Sequence, residues 1–288
     1  MFRTFLCALL IAGASSLAFA QEDLNDVYKS LQAADEKKDN AEVKKLAVQC
    51  LQLSNKTLNS PQPASESDAE VWKTTQAQAK EIKTYAEYTL DAAALRATAP
   101  AERIEIFEIL EKESPDSKYL QSLYTPVLQA HAQMKPDTSF AFAQHVIAKD
   151  PNNEEALLVV TDGAYQRKQY DTAINYGTRL AKVSKRGNVQ GRAYWYAGMA
   201  YEAQGKHPQA AESLKASLPL VNSEPQLLAQ AQFFIGVAEY NLARATQDKA
   251  LMQDALKYSQ MAATSGTAVG KQASQNAYAI KQELARMR

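Results

Sequence analysis

The sequence contains very few cysteines, and this limits how the protein can be stabilised. Its 288 residues include only two cysteines, Cys7 and Cys50. Cys7 lies in an apolar N-terminal segment that we expect to be removed, so Cys50 would remain alone and no internal disulfide could form. Cys50 then lies buried on a helix face or pairs with a second chain, and we favour burial. Stability must therefore come from packing.

The sequence also has no excess of either charge and no clear β-strand pattern. Lys and Arg together number 32, as do Asp and Glu, and the two signs are interspersed. Without a basic stripe there is no indication of a nucleic-acid partner or of binding to anionic lipid. No run of alternating β-branched residues predicts a strand, and 10 glycines and 10 prolines leave room for long helices. These features predict an all-α protein.

Sequence signatures of catalysis and of metal binding are missing as well. The three histidines, His131, His145 and His207, do not have the HExxH spacing or another metal-ligand spacing. The segment Ser265–Gln272 resembles a phosphate-binding loop, but it is one residue short, lacks the final Ser or Thr and follows no predicted strand. No Gly-x-Ser-x-Gly elbow is present. We therefore expect a protein that is not an enzyme and has no cofactor or metal.

The N-terminus has the three parts of a secretory signal peptide. Arg3 supplies the positive charge, Phe5–Ile11 the apolar region, and Ala18-Phe19-Ala20 the cleavage site. The apolar run is too short for a transmembrane span, although a retained N-terminal anchor is an alternative. We expect residues 1–20 to be removed after Ala20 and the mature protein to be exported, with a Gram-negative periplasm as the preferred destination.

The stretch from Gly191 to Leu218 has the pattern of two packed helices. A first helical face is predicted from residues at helical spacing, namely Tyr194, Ala197, Gly198 and Tyr201. A glycine inside a helix costs about 1 kcal/mol relative to alanine, so Gly198 indicates a close approach of a neighbouring helix. Gly205 suits the end of this helix and Pro208 the first turn of the next. Ala210 and Leu214 then lie on the inner face of the second helix.

These residues together resemble the tetratricopeptide repeat, a helix–turn–helix unit of about 34 residues. The pattern recurs, because Gly236 follows Gly198 by 38 residues and Ala173 precedes Ala210 by 37. A further junction is recognisable at Ala148–Asn153, and the resemblance extends over Ser117–Ala263. It implies a right-handed α-solenoid of antiparallel helix pairs, about six pairs followed by a C-terminal capping helix.

The predicted domains follow from this pattern and from the turn-forming segments. They are a signal peptide at 1–20, an N-terminal helical region with degenerate repeats at 21–113, tetratricopeptide-like repeats at 114–265, and a capping helix at 266–288. Within the second region, a long helix is predicted from about Asp68 to Ala97. Its candidate inward residues are Val71, Trp72, Ile82, Tyr85, Tyr88 and Leu95.

The resemblance also implies a role in binding, since first helices of such repeats line a concave face. Residues one step away from the packing positions form the candidate groove: Tyr124, His131, Asp162, Tyr165, Arg192, Trp195, Met199, Phe233 and Tyr240. Aromatic and Arg side chains are favoured at binding hot spots. Several of these residues could instead be buried against adjacent helices, and Trp195 and Phe233 are as well suited to burial as to the groove.

The groove leads to a functional hypothesis with two alternatives. We expect a non-enzymatic scaffold of the cell envelope that binds a partner peptide or helix of unknown identity. The first alternative is a small-ligand-binding or enzyme-accessory helical protein, which would need an enclosed pocket with convergent polar groups. The second is a structural component of an envelope assembly.

Overall fold

A computed structural model describes residues 23–287, and within this range the chain forms thirteen α-helices and no β-strand. The helices are α1 (23–36), α2 (Asn40–Leu58), α3 (Glu66–Arg96), α4 (Pro100–Glu113), α5 (Leu120–Met134), α6 (Pro136–Lys149), α7 (Glu154–Gln166), α8 (Tyr170–Val183), α9 (Gly187–Ala203), α10 (His207–Ser217), α11 (Pro225–Thr246), α12 (Lys249–Ala263) and α13 (Gly270–Arg286). The prediction of an all-α chain of six helix pairs and a final helix is confirmed.

The chain divides into two compact units between Ser139 and Phe140, within α6. We call the part up to Ser139 unit 1 and the part from Phe140 unit 2. The predicted domain limits after residues 113 and 265 fall at the end of α4 and in the turn before α13. The predicted signal peptide lies outside the described residues.

In unit 1, α3 packs on α2, α4 on α3, and α5 on α4. Helices α2 and α4 also run side by side in the same direction. Lys44 Nζ lies 2.7 Å from Glu105 Oε2, and Gln52 Nε2 lies 3.4 Å from Glu113 Oε1, about two turns further along both helices. This arrangement makes α2 and α4 the equivalent second helices of successive pairs.

Unit 2 repeats the same arrangement, with α7, α9, α11 and α13 adjacent to one another as first helices. Arg186 Nε donates to Glu154 Oε2 over 2.9 Å across 32 residues, and the Tyr196 hydroxyl donates to Asp162 Oδ1 over 2.8 Å across 34 residues. Contacts between equivalent helices therefore recur at about the length of one tetratricopeptide repeat.

Four of the six turns within pairs in residues 23–287 contain a residue with a positive φ angle, and this residue is a glycine in only one of them. Lys38, Lys168, Gly205 and Gln247 have positive φ angles of 56°, 59°, 70° and 53°, and they connect α1 to α2, α7 to α8, α9 to α10 and α11 to α12. A non-glycine residue is uncommon in this conformation. Only the turn at Gly205 is therefore marked by glycine in the sequence.

The predicted inward face of α3 is wrong at three positions. Val71, Tyr88 and Leu95 are 64%, 46% and 49% exposed. Ile82 is buried as predicted, and small residues such as the fully buried Ala86 form much of the remaining buried face of α3. Small side chains let neighbouring helices approach closely, so the large side chains are left at the flanks.

Candidate partner-binding surface

A cluster of aromatic side chains extends over three neighbouring first helices of unit 2. The cluster consists of Tyr165 on α7, Trp195 and Tyr196 on α9, and Phe233 and Phe234 on α11, and all five are half-buried. We call it the aromatic surface. The Trp195 and Tyr196 rings meet edge to face at 4.8 Å, and the Tyr165 ring lies 5.9 Å from that of Tyr196. Phe233 and Phe234 are in edge contact at 5.0 Å.

The aromatic surface rests on a buried cluster formed by first and second helices. Met199, Leu214, Ala231 and Ile235 form this cluster, and Tyr165, Trp195 and Phe234 pack against it. These three rings are thus packed on the buried cluster on one side and partly exposed to solvent on the other. The indole Nε1 of Trp195 is buried and has no hydrogen-bond acceptor within residues 23–287.

Hydrogen bonds fix the orientation of the polar residues at this surface. The Tyr196 hydroxyl donates to Asp162, and burial together with this bond raises the pKa of Tyr196, so the hydroxyl stays protonated and remains a donor. At the rim, Arg192 donates to Glu224 Oε2 from Nη2 over 2.6 Å and from Nε over 3.2 Å. These bonds raise the pKa of Arg192. Asp162 and Arg192 therefore have fixed orientations.

Six of the nine predicted groove residues lie on the first helices of unit 2 and keep some exposed surface: Asp162, Tyr165, Arg192, Trp195, Phe233 and Tyr240. Tyr240 lies further along α11, where it packs on the cluster around Ala243 and Met252, and the guanidinium of Arg244 is 5.5 Å from its ring centroid. The sequence analysis did not select Tyr196 and Phe234. Each directly follows a predicted groove residue, and helical spacing alone does not show whether such a residue is exposed or belongs to the core.

Two predicted groove residues lie in the interior and present little surface to a partner. Tyr124 is 6% exposed and packs edge to face on Phe107 at 6.1 Å, and Met199 is 7% exposed. Each lies about one helical turn from an exposed residue. Helical spacing alone therefore does not show which residue of each such pair a neighbouring helix covers. We leave them out of the proposed surface.

His131 lies in unit 1, in a pocket of about 290 Å³ formed by α4 and α5. Ile104 and Met134 give this pocket an apolar wall, and Glu108 faces it. Burial lowers the pKa of His131, against the opposing effect of Glu108, so the imidazole is neutral at pH 7. His131 is therefore part of a separate surface feature.

The predicted packing residues lie where the helices of a pair cross. A Cβ placed on Gly198 would be 2.6 Å from Leu214 Cγ on α10, and one on Gly236 would meet Ser259 Oγ on α12. Ala197, Ala210 and Leu214 are fully buried, whereas Tyr194 and Tyr201 are half-buried. These glycines thus occupy contacts that leave no room for a side chain.

The described residues contain no group of three or more His, Cys, Asp or Glu side chains placed to hold a metal ion. Among them, too, no helix is long and apolar enough to cross a membrane. Cys50 is fully buried, and burial raises the pKa of its thiol to about 12. A bridge from Cys50 to a second chain would require this part of α2 to open.

The fold is that of a tetratricopeptide-like helical array. No protein-family profile matches the sequence, and no curated protein matches it either. Among solved structures, two crystal structures of MamA are similar, with 14% identity over 64% of this chain and 96% of that one at a TM-score of 0.45, and 17% over 65% and 91% at 0.42. A structure of the TPR2AB domain of yeast Sti1 in complex with pHSP90 is 14% identical over 93% of this chain and 99% of that one, with a TM-score of 0.34. Similarity at this level carries no argument about function.

Proposed function

We propose that the protein is a non-enzymatic scaffold that binds a peptide or helix of a partner protein on the aromatic surface of unit 2. The observation that carries the proposal is the set of half-buried rings on α7, α9 and α11, of which Tyr165, Trp195 and Phe234 pack on one buried cluster. Half-buried aromatic side chains on a rigid base can bury their remaining area against a partner with little loss of conformational entropy.

The polar residues around this surface suit peptide recognition. Asp162 and Arg192 are already oriented by Tyr196 and Glu224, so little ordering is needed when a partner binds. A partner's backbone groups can be met by these fixed side chains, while the rings cover its apolar side chains. This division between apolar centre and polar rim is typical of protein–protein interfaces.

Affinity capture with matched variants tests the proposal. The full chain carrying Phe233→Ala together with Arg192→Ala is compared with the wild type and with Tyr176→Ala, a half-buried tyrosine on the second helix α8. We expect the captured partner to be lost with the double variant and kept with the control, at unchanged melting temperature. A partner retained equally by all three proteins would contradict this surface.

We also propose that the protein acts in the cell envelope after export, with a periplasmic destination preferred. The support is the order of Arg3, the apolar segment Phe5–Ile11 and the site Ala18-Phe19-Ala20 in the sequence. N-terminal sequencing of the native protein should give a chain that begins at Gln21. Recovery of an intact Met1 would contradict export by signal cleavage.

A further inference from the structure

A pocket of about 330 Å³ lies in the last helix pair of unit 2, where α11 begins and α12 ends. It is lined by residues of both helices and of the turn after α12, among them Leu228, Ala229, Gln232, Met261, Thr264 and Ser265. None of the described residues that line it is charged. Its volume is at the lower end of the range for ligand pockets, so it suits one or two side chains rather than a large molecule.

The preceding pair fills the equivalent place with side chains of its own. Gly191 on α9 and Ala229 on α11 each precede the glycine of their helix crossing by seven residues. A Cβ on Gly191 would lie 2.7 Å from Leu220 Cβ and 2.8 Å from Val221 Cγ1, and Val221 is fully buried. The four residues after α10 are Leu-Pro-Leu-Val, whereas the four after α12 are Thr-Ser-Gly-Thr. The last pair therefore lacks the aliphatic side chains that cover this face of α9, and the pocket lies in their place.

Gln232 brings an unpaired amide to this pocket. The residue is 7% exposed, and its side chain makes no hydrogen bond within residues 23–287. The hydroxyl groups of Ser265 and Thr264 do not serve it, because they donate to backbone carbonyls of α12 over 2.7 and 3.1 Å. A buried amide without partners is unfavourable, and a ligand that bonds to its donors and its acceptor removes this cost.

The apolar wall and the amide together indicate the class of ligand. Leu228 and Met261, which is 43% exposed, can cover an aliphatic side chain. The N–H and C=O of one residue in an extended segment point to the same side, so the single amide of Gln232 can accept from one and donate to the other. A charged side chain is disfavoured, because it would leave water without an opposite charge in the lining.

We propose that this pocket binds a short, uncharged segment of a partner protein. A leucine or valine of the segment takes the place that Leu220 and Val221 have in the preceding pair, and Gln232 bonds to the segment's backbone. None of the five residues of the aromatic surface lines the pocket, so the proposal adds a second site to unit 2. It does not require that the aromatic surface binds anything.

Fluorescence anisotropy with labelled peptides and the full chain tests the proposal. The probe is Ser-Gly-Leu-Pro-Leu-Val-Gly-Ser with blocked ends, and the comparison peptide has serine in place of both leucines and the valine. We expect the probe to bind at least about ten times more tightly. Gln232→Met keeps the length of the side chain but removes both hydrogen bonds, so it should weaken binding at least about fivefold. Gln226→Met, at an exposed position of α11, should leave it unchanged.

A second variant tests the apolar wall without altering a buried residue. Met261→Ala should weaken probe binding at least about threefold, whereas Met134→Ala, at an exposed position of unit 1, should have no effect. Equal binding of the two peptides would overturn the proposal, as would an unchanged affinity with both Gln232→Met and Met261→Ala.

The two sites of unit 2 are distinguished with the double variant Phe233→Ala and Arg192→Ala. It should keep its affinity for the probe, because neither residue lines the pocket. Loss of probe binding in this double variant, with full binding in Gln232→Met, would place the peptide on the aromatic surface and overturn the inference while leaving the proposed function intact.

Discussion

At the scale of single residues, Gly198 and Gly236 are subject to two opposing effects. Glycine inside a helix is unfavourable by roughly 0.5–1 kcal/mol relative to alanine. At Gly198, however, a Cβ would lie 2.6 Å from Leu214 Cγ and 3.1 Å from the Leu214 nitrogen, and Leu214 is fully buried. Because Leu214 has no free space to move into, packing outweighs propensity.

We therefore expect Gly198→Ala to destabilise the protein by about 1–3 kcal/mol, and Gly198→Leu by more. Gly187→Ala is the matched control, because the nearest atom to its new Cβ, Leu220 Cδ2, is 3.7 Å away. The control should melt at or slightly above the wild-type temperature. Thermal melting followed by circular dichroism measures the stability of each variant. A Gly198→Ala variant that melts as high as the control would disprove the tight crossing.

Glu239 is a buried acid at a position where the preceding pair has a tyrosine. It follows Gly236 by three residues, as Tyr201 follows Gly198, and it is 1% exposed. Lys215 Nζ on α10 lies 2.5 Å from its Oε1, and Oε2 has no hydrogen-bond partner within residues 23–287. Burial raises the pKa of Glu239 above its usual value, and Lys215 offsets this only in part.

The raised pKa of Glu239 gives a pH dependence with a definite sign. A carboxyl with a higher pKa in the folded state binds its proton more tightly there, so its stabilising contribution is present below the unfolded pKa and is lost as the pH rises through the folded one. Glu239→Gln, which mimics the protonated form, should thus stabilise the protein at pH 7 and lose that advantage towards pH 4.

Urea unfolding at several pH values measures this difference. Glu212→Gln, at an exposed position of α10, is the control and should show a small difference with little pH dependence. A Glu239→Gln variant that is most destabilised at pH 7 would mean that the ion pair with Lys215 outweighs the burial of the carboxylate.

At the scale of the elements, the N-termini of α2 and α3 show which potential capping residues form a hydrogen bond to the helix backbone. Asp39 accepts hydrogen bonds from the backbone nitrogens of Ala41 and Glu42 at 3.1 and 3.2 Å, and its side chain thus caps the start of α2. For α3 the predicted start near Asp68 is two residues late. The helix begins at Glu66, and the Ser65 side chain shares a hydrogen bond with Ser67 instead of capping the backbone.

Asp39→Ala should therefore destabilise the protein by about 0.5–2 kcal/mol, because two backbone donors of α2 lose their acceptor. Ser65→Ala removes a residue at the equivalent position that makes no capping bond, so a much smaller effect is expected. Chemical unfolding of the two variants in parallel provides the measurement. Similar losses for both would show that the side-chain bond of Asp39 is not what stabilises the start of α2.

At the scale of the whole molecule, the last helix covers the end of unit 2. Ile280 on α13 is fully buried together with Ala243, Met252 and Ala255, and Leu284 and Met287 pack against this cluster. A helical array needs such an end element because each pair otherwise leaves one apolar face uncovered.

Deletion of residues 267–288 should lower the melting temperature and cause concentration-dependent self-association. The reason is that the cluster around Met252 loses Ile280 and becomes exposed. Size-exclusion chromatography with light scattering measures the association, and Tyr278→Ala, on the exposed side of α13, is the control. A truncated protein that stays at the molecular weight and melting temperature of the full chain would contradict a covering role for α13.

The sequence by itself determined the helical class, the number of helix pairs and most turns. Helical periodicity, turn-forming residues such as Gly205 and Pro208, and small residues at crossing positions such as Gly198 are local signals, and local signals need no knowledge of neighbouring pairs. This is why the order of the thirteen helices in residues 23–287 agrees with the predicted six pairs and final helix.

Only the tertiary structure decided which aromatic side chains remain at the surface. Tyr124 and Met199 have the spacing of groove residues, yet adjacent helices cover them, whereas Tyr88 has the spacing of a core residue and is exposed. Each side chain's exposure depends on the tilt and distance of helices about 34 residues away, which the local pattern does not contain. The contacts of Tyr28 on α1, Tyr85 and Tyr88 on α3, and Tyr119 just before α5 could not be found from spacing for the same reason.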